Sequence, residues 1–140
     1  MWIVVLIIGL GALWDGFTTF FGIVQLFDIF AAAKVNPFQV IFAVVVSLVV
    51  FGFIIATHVI WSFTDDDLVT LLLRIAWFIC LGLDIYTSLL GNRHYVFNDK
   101  VENAAHVIGL FVVTFLITAA SILLSRLLLS KDSRGKGYLF

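Results

Sequence analysis

Four long apolar runs constrain this chain more than anything else in it, at about residues 2–27, 38–61, 68–91 and 104–129. Each reaches or exceeds the roughly 20 residues that a helix needs to cross about 30 Å of hydrocarbon. A soluble domain would need a charged surface, and 12% charged residues against 63% hydrophobic cannot supply one. The runs do not alternate polar with apolar positions, which excludes a closed β-barrel. The expected fold is all-α: a four-transmembrane-helix bundle over residues 1–130, in contact with lipid, followed by a short basic tail over 131–140. Met1 and Trp2 lead into the first run with no basic stretch before it, so that run reads as a permanent helix rather than a cleaved leader.

Helix ends have their own chemistry. Asn36-Pro37 with Gln39 supplies an N-cap, a first-turn proline and a capping-box partner for the second run. Thr64 and the acids Asp65, Asp66 and Asp67 do the same for the third, and Asp99 with Glu102 for the fourth. Four spans put both termini on one side. That side carries Arg74, Arg126, Lys131, Arg134 and Lys136, against Lys34, Arg93 and Lys100 opposite. The excess favours cytoplasmic termini in a plasma or inner membrane. Arg74 is expected to reach back to that interface toward Asp67.

Within the first run, 14-WDGFTTFFG-22 places a carboxylate at mid-membrane depth, and 83-LDIYTSLLG-91 repeats the pattern in the third. Asp15 aligns with Asp84, Phe17 with Tyr86, Thr18 with Thr87, Thr19 with Ser88 and Gly22 with Gly91, at a constant offset of 69 residues. The alignment implies two tandem helical hairpins, a parallel internal repeat about an axis along the membrane normal. Gly11, Asp15, Thr18 and Gly22 form one helical stripe, as do Cys80, Asp84, Thr87 and Gly91. Thr114, Thr118, Ser121 and Ser125 form a third. In a bilayer, small and hydroxyl residues belong at helix contacts, so these stripes should face inward and most phenylalanines outward.

A carboxylate at that depth costs about 3 kcal/mol on insertion scales, and no Lys or Arg lies level with either one. Each acid is therefore protonated and hydrogen-bonded, bound to a cation, or hydrated in a pore. The candidate ion- or proton-binding residues are Asp15, Asp84, Thr18, Thr87, Thr114 and Thr118, with Thr18 and Thr87 orienting the acids. Oxygen ligands alone suit Na⁺, K⁺, Ca²⁺ or H⁺ rather than zinc or copper. The set names no particular metal, and no cofactor or nucleic-acid partner is expected. The functional expectation is a homo-oligomeric channel or transporter for a cation or proton. The alternative is a non-transporting anchor or assembly subunit of a membrane complex, in which the same stripes only join helices.

Catalysis is the weaker class. Intramembrane aspartyl proteases also use two membrane aspartates, but their Gly-x-Gly-Asp pattern is broken here, where Gly82-Leu83 precedes Asp84. His58 and His106 fall at opposite ends of the bundle, too far apart to share a haem. His94 and His106 share a side with Asp99 and Glu102, a surface set that a metal could use, although interface histidines are far commoner than ligands.

Overall fold

The computed structural model describes residues 2–31, 34–64 and 67–129. The tail at 131–140, and Asp65 and Asp66, lie outside the described residues. The regular structure of the described residues is all helical: α1 (Trp2–Leu26), α2 (Pro37–Ile55), α3 (Thr57–Ser62), α4 (Leu68–Tyr95) and α5 (Ala104–Leu129). Four of these helices, α1, α2, α4 and α5, are long and apolar enough to span a membrane.

The second apolar run is the one that departs from a straight span. It breaks at Ala56, between α2 and α3. Thr57 donates its hydroxyl to the Ile54 carbonyl, a local bond that competes with the helical ladder. The backbone N–H of His58 then finds its acceptor on another helix, in Ser125 Oγ at 2.9 Å. Trp77 Nε1 donates to Thr57 Oγ1 at 2.8 Å and ties the break to α4. A freed backbone donor inside a membrane protein needs such a partner, and α5 provides it.

The N-cap and first-turn proline match expectation at α2, where Gln39 contributes its backbone and not the expected capping-box side chain, and the caps shift elsewhere. Asn36 accepts from the Phe38 N–H at 3.0 Å, with Pro37 opening the helix. Gln39 gives its backbone N–H to the Asn36 carbonyl. For α4 the cap is Asp67 rather than Thr64, since Asp67 accepts from the Thr70 N–H at 2.8 Å. Hydrogen bonds from Thr70, side chain and backbone, hold that exposed carboxyl below the usual aspartate range. At the start of α5 the capping acceptor is Asn103, which takes the His106 N–H at 2.9 Å. Asp99 sits in a left-handed turn instead, paired with His94 and Arg93. Arg74 does not reach Asp67. It donates to the Phe63 carbonyl at 3.0 Å and lies 5.4 Å from the centre of the Trp61 ring.

Contacts fix the helix directions. Phe27 near the end of α1 meets Phe42 near the start of α2, and Gly16 faces Phe51 further along. Trp61 of α3 packs on Trp77 of α4, and Phe97, just beyond α4, lies against Gly109 of α5. α1 and α4 therefore run one way, and α2 and α5 the other. The end carrying α3 also holds the start of α1, the start of α4 and the end of α5.

The interior of this bundle is largely polar. Asp15, Thr18, Thr19, Asp84, Thr87, Ser88, Asn92, Thr114, Ser121 and Ser125 are buried to within 1% exposure or better. Large apolar side chains face outward instead, Ile3 at 75% and Phe38 at 79% exposed among them. An outward apolar shell suits lipid, which solvates leucine and phenylalanine as well as a protein core does. A compact apolar cluster does exist between α1 and α2, where Ile23, Val24, Ile29 and Ala43 pack with Phe20, Val40 and Val46.

Candidate functional site

The site forms where α1 and α4 cross. A Cβ placed on Gly91 would meet the Thr18 carbonyl oxygen at 2.6 Å, and one on Gly22 would run into the Thr87 backbone. Only glycine allows backbones to approach this closely, as in other small-x-x-x-small crossings in membranes. The two contacts are reciprocal, because Thr18 and Thr87 hold equivalent motif positions, as do Gly22 and Gly91.

The same reciprocity governs the carboxylates. Thr19 Oγ1 donates to Asp84 Oδ1 at 2.7 Å, and Ser88 Oγ donates to Asp15 Oδ1 at 3.2 Å. Each acid thus takes the hydroxyl that stands four residues after the other acid. Thr19 and Ser88 also meet each other at 3.2 Å, at the centre of the arrangement.

α5 closes the cluster from one side. Ser121 Oγ donates to Asp15 Oδ2 at 2.5 Å, a short bond of the kind carboxylates make with hydroxyls. Thr118 Oγ1 lies 3.4 Å from Asp15 Oδ1 and 3.2 Å from Asp84 Oδ2. A threonine hydroxyl has one proton, so Thr118 serves one acid at a time and bridges the pair. All four carboxylate oxygens accept a hydroxyl, and those hydroxyls come from α1, α4 and α5.

Of the residues expected at the site, Asp15, Asp84 and Thr118 come together. Thr18 and Thr87 lie beside them but turn away from the carboxylates. Thr18 donates to the Asp15 backbone carbonyl at 3.0 Å and meets Ser88 at 3.1 Å. Thr87 donates to the Leu83 and Asp84 carbonyls at 2.8 and 3.2 Å. Back-bonding to the helix consumes these hydroxyls. Thr114 accepts from Asn92 Nδ2 at 3.2 Å, while Asn92 Oδ1 takes Trp14 Nε1 at 3.0 Å, forming a separate polar layer.

Thr19, Ser88 and Ser121 are the contacts that sequence reasoning left out. The first two were visible as the repeated hydroxyl after each Thr, and the third as a member of the α5 stripe. Their partners were not visible, because those depend on the α1–α4 crossing.

Among the described residues, no basic side chain joins this cluster. Among the described residues, the ion pairs are Arg93 with Asp99 at 3.8 Å and His94 with Asp99 at 2.7 Å, both outside the spans. No group of three or more His, Cys, Asp and Glu among those residues could hold a metal ion, including the set around His94. What remains is an oxygen-lined acid pair that can exchange protons with hydroxyl groups or present oxygens to a small hard cation. Compared with known protein families, curated proteins and solved structures, the chain matches none.

Proposed function

We propose that this small membrane protein binds and exchanges a proton at the Asp15–Asp84 pair, or a small hard cation in its place, within a channel or transporter. One observation carries the reading: two fully buried carboxylates share the Thr118 hydroxyl, with no basic partner among the described residues. Two negative charges that close, desolvated and unpaired, would be prohibitively costly. A proton or cation relieves that cost. The proton fits better, because every carboxylate oxygen already sits at hydrogen-bonding distance from a hydroxyl.

The proposal includes a duplicated architecture. Two tandem hairpins would bring equivalent motif positions into reciprocal contact, and the Thr19–Asp84 and Ser88–Asp15 bonds support this. It also includes assembly with further copies or with a larger membrane complex, supported by the outward aromatic shell of Phe38, Phe78 and Phe115. Cytoplasmic termini complete the proposal, supported by Arg74 and Arg126 on the α3 end of the bundle.

The test is flux in reconstituted vesicles under an imposed proton or alkali-cation gradient. Wild-type protein should dissipate one of these gradients, and the double substitution Asp15→Asn with Asp84→Asn should abolish that while leaving helical content unchanged. Equal flux through the well-folded double variant sinks the proposal. The complete hydroxyl pairing of both acids favours a second reading, in which they only join three helices. In that case no gradient is dissipated by either protein, Asn is tolerated, and Asp15→Leu lowers the thermal midpoint in detergent.

A further inference from the structure

The two sides of the acid pair are built differently. Toward the α2 start and the α5 start, α1 and α4 touch backbone to backbone at Gly22 and Gly91, leaving no space for a water thread between them. Beyond lies Asn92, fully buried, with its oxygen taken by Trp14 and its amide nitrogen bonded to Thr114. Amide and indole N–H groups hold their protons at neutral pH and make poor relays. One turn further along α5 the hydroxyl stripe stops at Leu110, which is buried and apolar. The half-buried His106 at that end is thus separated from the acids by a leucine turn and an amide clasp.

Toward the α3 end, proton-exchanging groups continue. Ser121 donates directly to Asp15, and Ser125 lies one turn beyond it on the same buried face. Ser125 Oγ accepts the His58 backbone N–H at the break between α2 and α3, so its own proton is left for onward donation. The histidine at that break is half-buried, and an imidazole is the side chain best suited to trade protons near neutral pH. The break is also where the wall of the bundle has an interrupted helix, the kind of irregularity that membrane proteins keep next to functional paths.

We infer that the Asp15–Asp84 pair exchanges protons with the α3 end of the bundle, through Ser121 and Ser125 to the helix break at His58, and is closed toward Asn92. Ser121 acts as the positioning donor to Asp15, and Ser125 as the relay that a water can join to it. A proton moving inward passes from the His58 region to Ser125, through the joining water to Ser121 and onto an Asp15 oxygen, each hydroxyl and the water giving up one proton as it gains another.

This inference rests on the proton-binding reading, and infrared spectroscopy of the carboxyl C=O stretch separates the two. Full-length protein in vesicles is moved into D₂O, and the rate at which its protonated-carboxyl band shifts is followed. Ser121→Ala and Ser125→Val should each slow deuteration several-fold, while Asn92→Leu leaves it near the wild-type rate. Ser125→Ala, with a smaller disturbance at the break, should slow it in the same direction. Slowing by Asn92→Leu and not by the serine variants would overturn the inference, as would equal rates in all of them. A spectrum with no carboxyl band that disappears in the Asp15→Asn, Asp84→Asn protein would instead remove the proton-binding reading itself, and the route with it.

Discussion

α2 and α5 are the two return helices, yet they serve opposite purposes. α5 turns Thr114, Thr118, Ser121 and Ser125 into the bundle, all buried. At the offset that aligns the two motifs, the second run has Val45, Val49 and Gly52 on α2 and Ala56 at the break beyond it. Val45 and Val49 are half-exposed to the surroundings, and what α2 buries is mainly apolar: Ala43 against Ile23 and Val24 of α1, with Val50 and Ile54 further along. Its one well-buried hydroxyl, Ser47, bonds back to the Val44 carbonyl at 2.9 Å. The polar centre is therefore a three-helix affair of α1, α4 and α5, with α2 as an apolar flank. Two helices of similar hydropathy can lie on the same core and differ entirely in what they bring to it.

The sharpest break of this comparison goes through the crossing that both helices flank. Gly22→Val would push a side chain into the Thr87 backbone, which cannot move aside as a flexible side chain would. The expected cost is about 3 kcal/mol. Gly52→Val on α2 should cost far less, since nothing lies within 4 Å of a Cβ there. Thermal unfolding in detergent checks both, and equal midpoints would show that the crossing does not hold the bundle.

A smaller effect distinguishes the two return helices directly. Thr118→Val keeps the shape of the side chain but removes the bridge between Asp15 and Asp84, for a loss of about 1 kcal/mol. The reciprocal change on α2, Val49→Thr, places its hydroxyl outside the cluster and should stay within about 0.5 kcal/mol of wild type. A larger loss at Val49 than at Thr118 would mean that α2 carries the interior polar contacts.

The smallest effect lies at the membrane edge. The Thr70 bonds hold Asp67 below the usual aspartate range in the folded chain, so its cap contributes fully at pH values above the unfolded aspartate range. That contribution fades as the pH falls through the lowered folded value. A pH series should therefore show Asp67→Asn less stable than wild type at neutral pH, with the gap closing on acidification. A gap that widens in acid would contradict the assigned cap.

Much of this is legible in the sequence. The inward direction of Asp15, Asp84 and the α5 stripe follows from steps of three and four residues, because helical periodicity is local and the cost of polar groups in lipid is general. Asn36-Pro37 opened a helix as its chemistry required. The break at Ala56 was not legible, because apolar sequence resumes directly after Ala56-Thr57-His58 and only Ser125, far along the chain, supplies the acceptor that stabilises it. Thr18 and Thr87 could not be told from Thr19 and Ser88 as partners of the acids. All four are hydroxyls beside a carboxylate in sequence, and the choice depends on which face each helix shows the other.

The sequence by itself determined that the described chain has four helices long and apolar enough to cross a membrane, and that two of them carry a carboxylate. Hydrophobic length and insertion cost are properties of each segment alone. Only the tertiary structure decided that the acids share one hydroxyl, that each is held by the other helix's motif, and that α5 rather than α2 completes the cluster. Those outcomes depend on the backbone approach at Gly22 and Gly91, a contact between distant segments that no local pattern encodes.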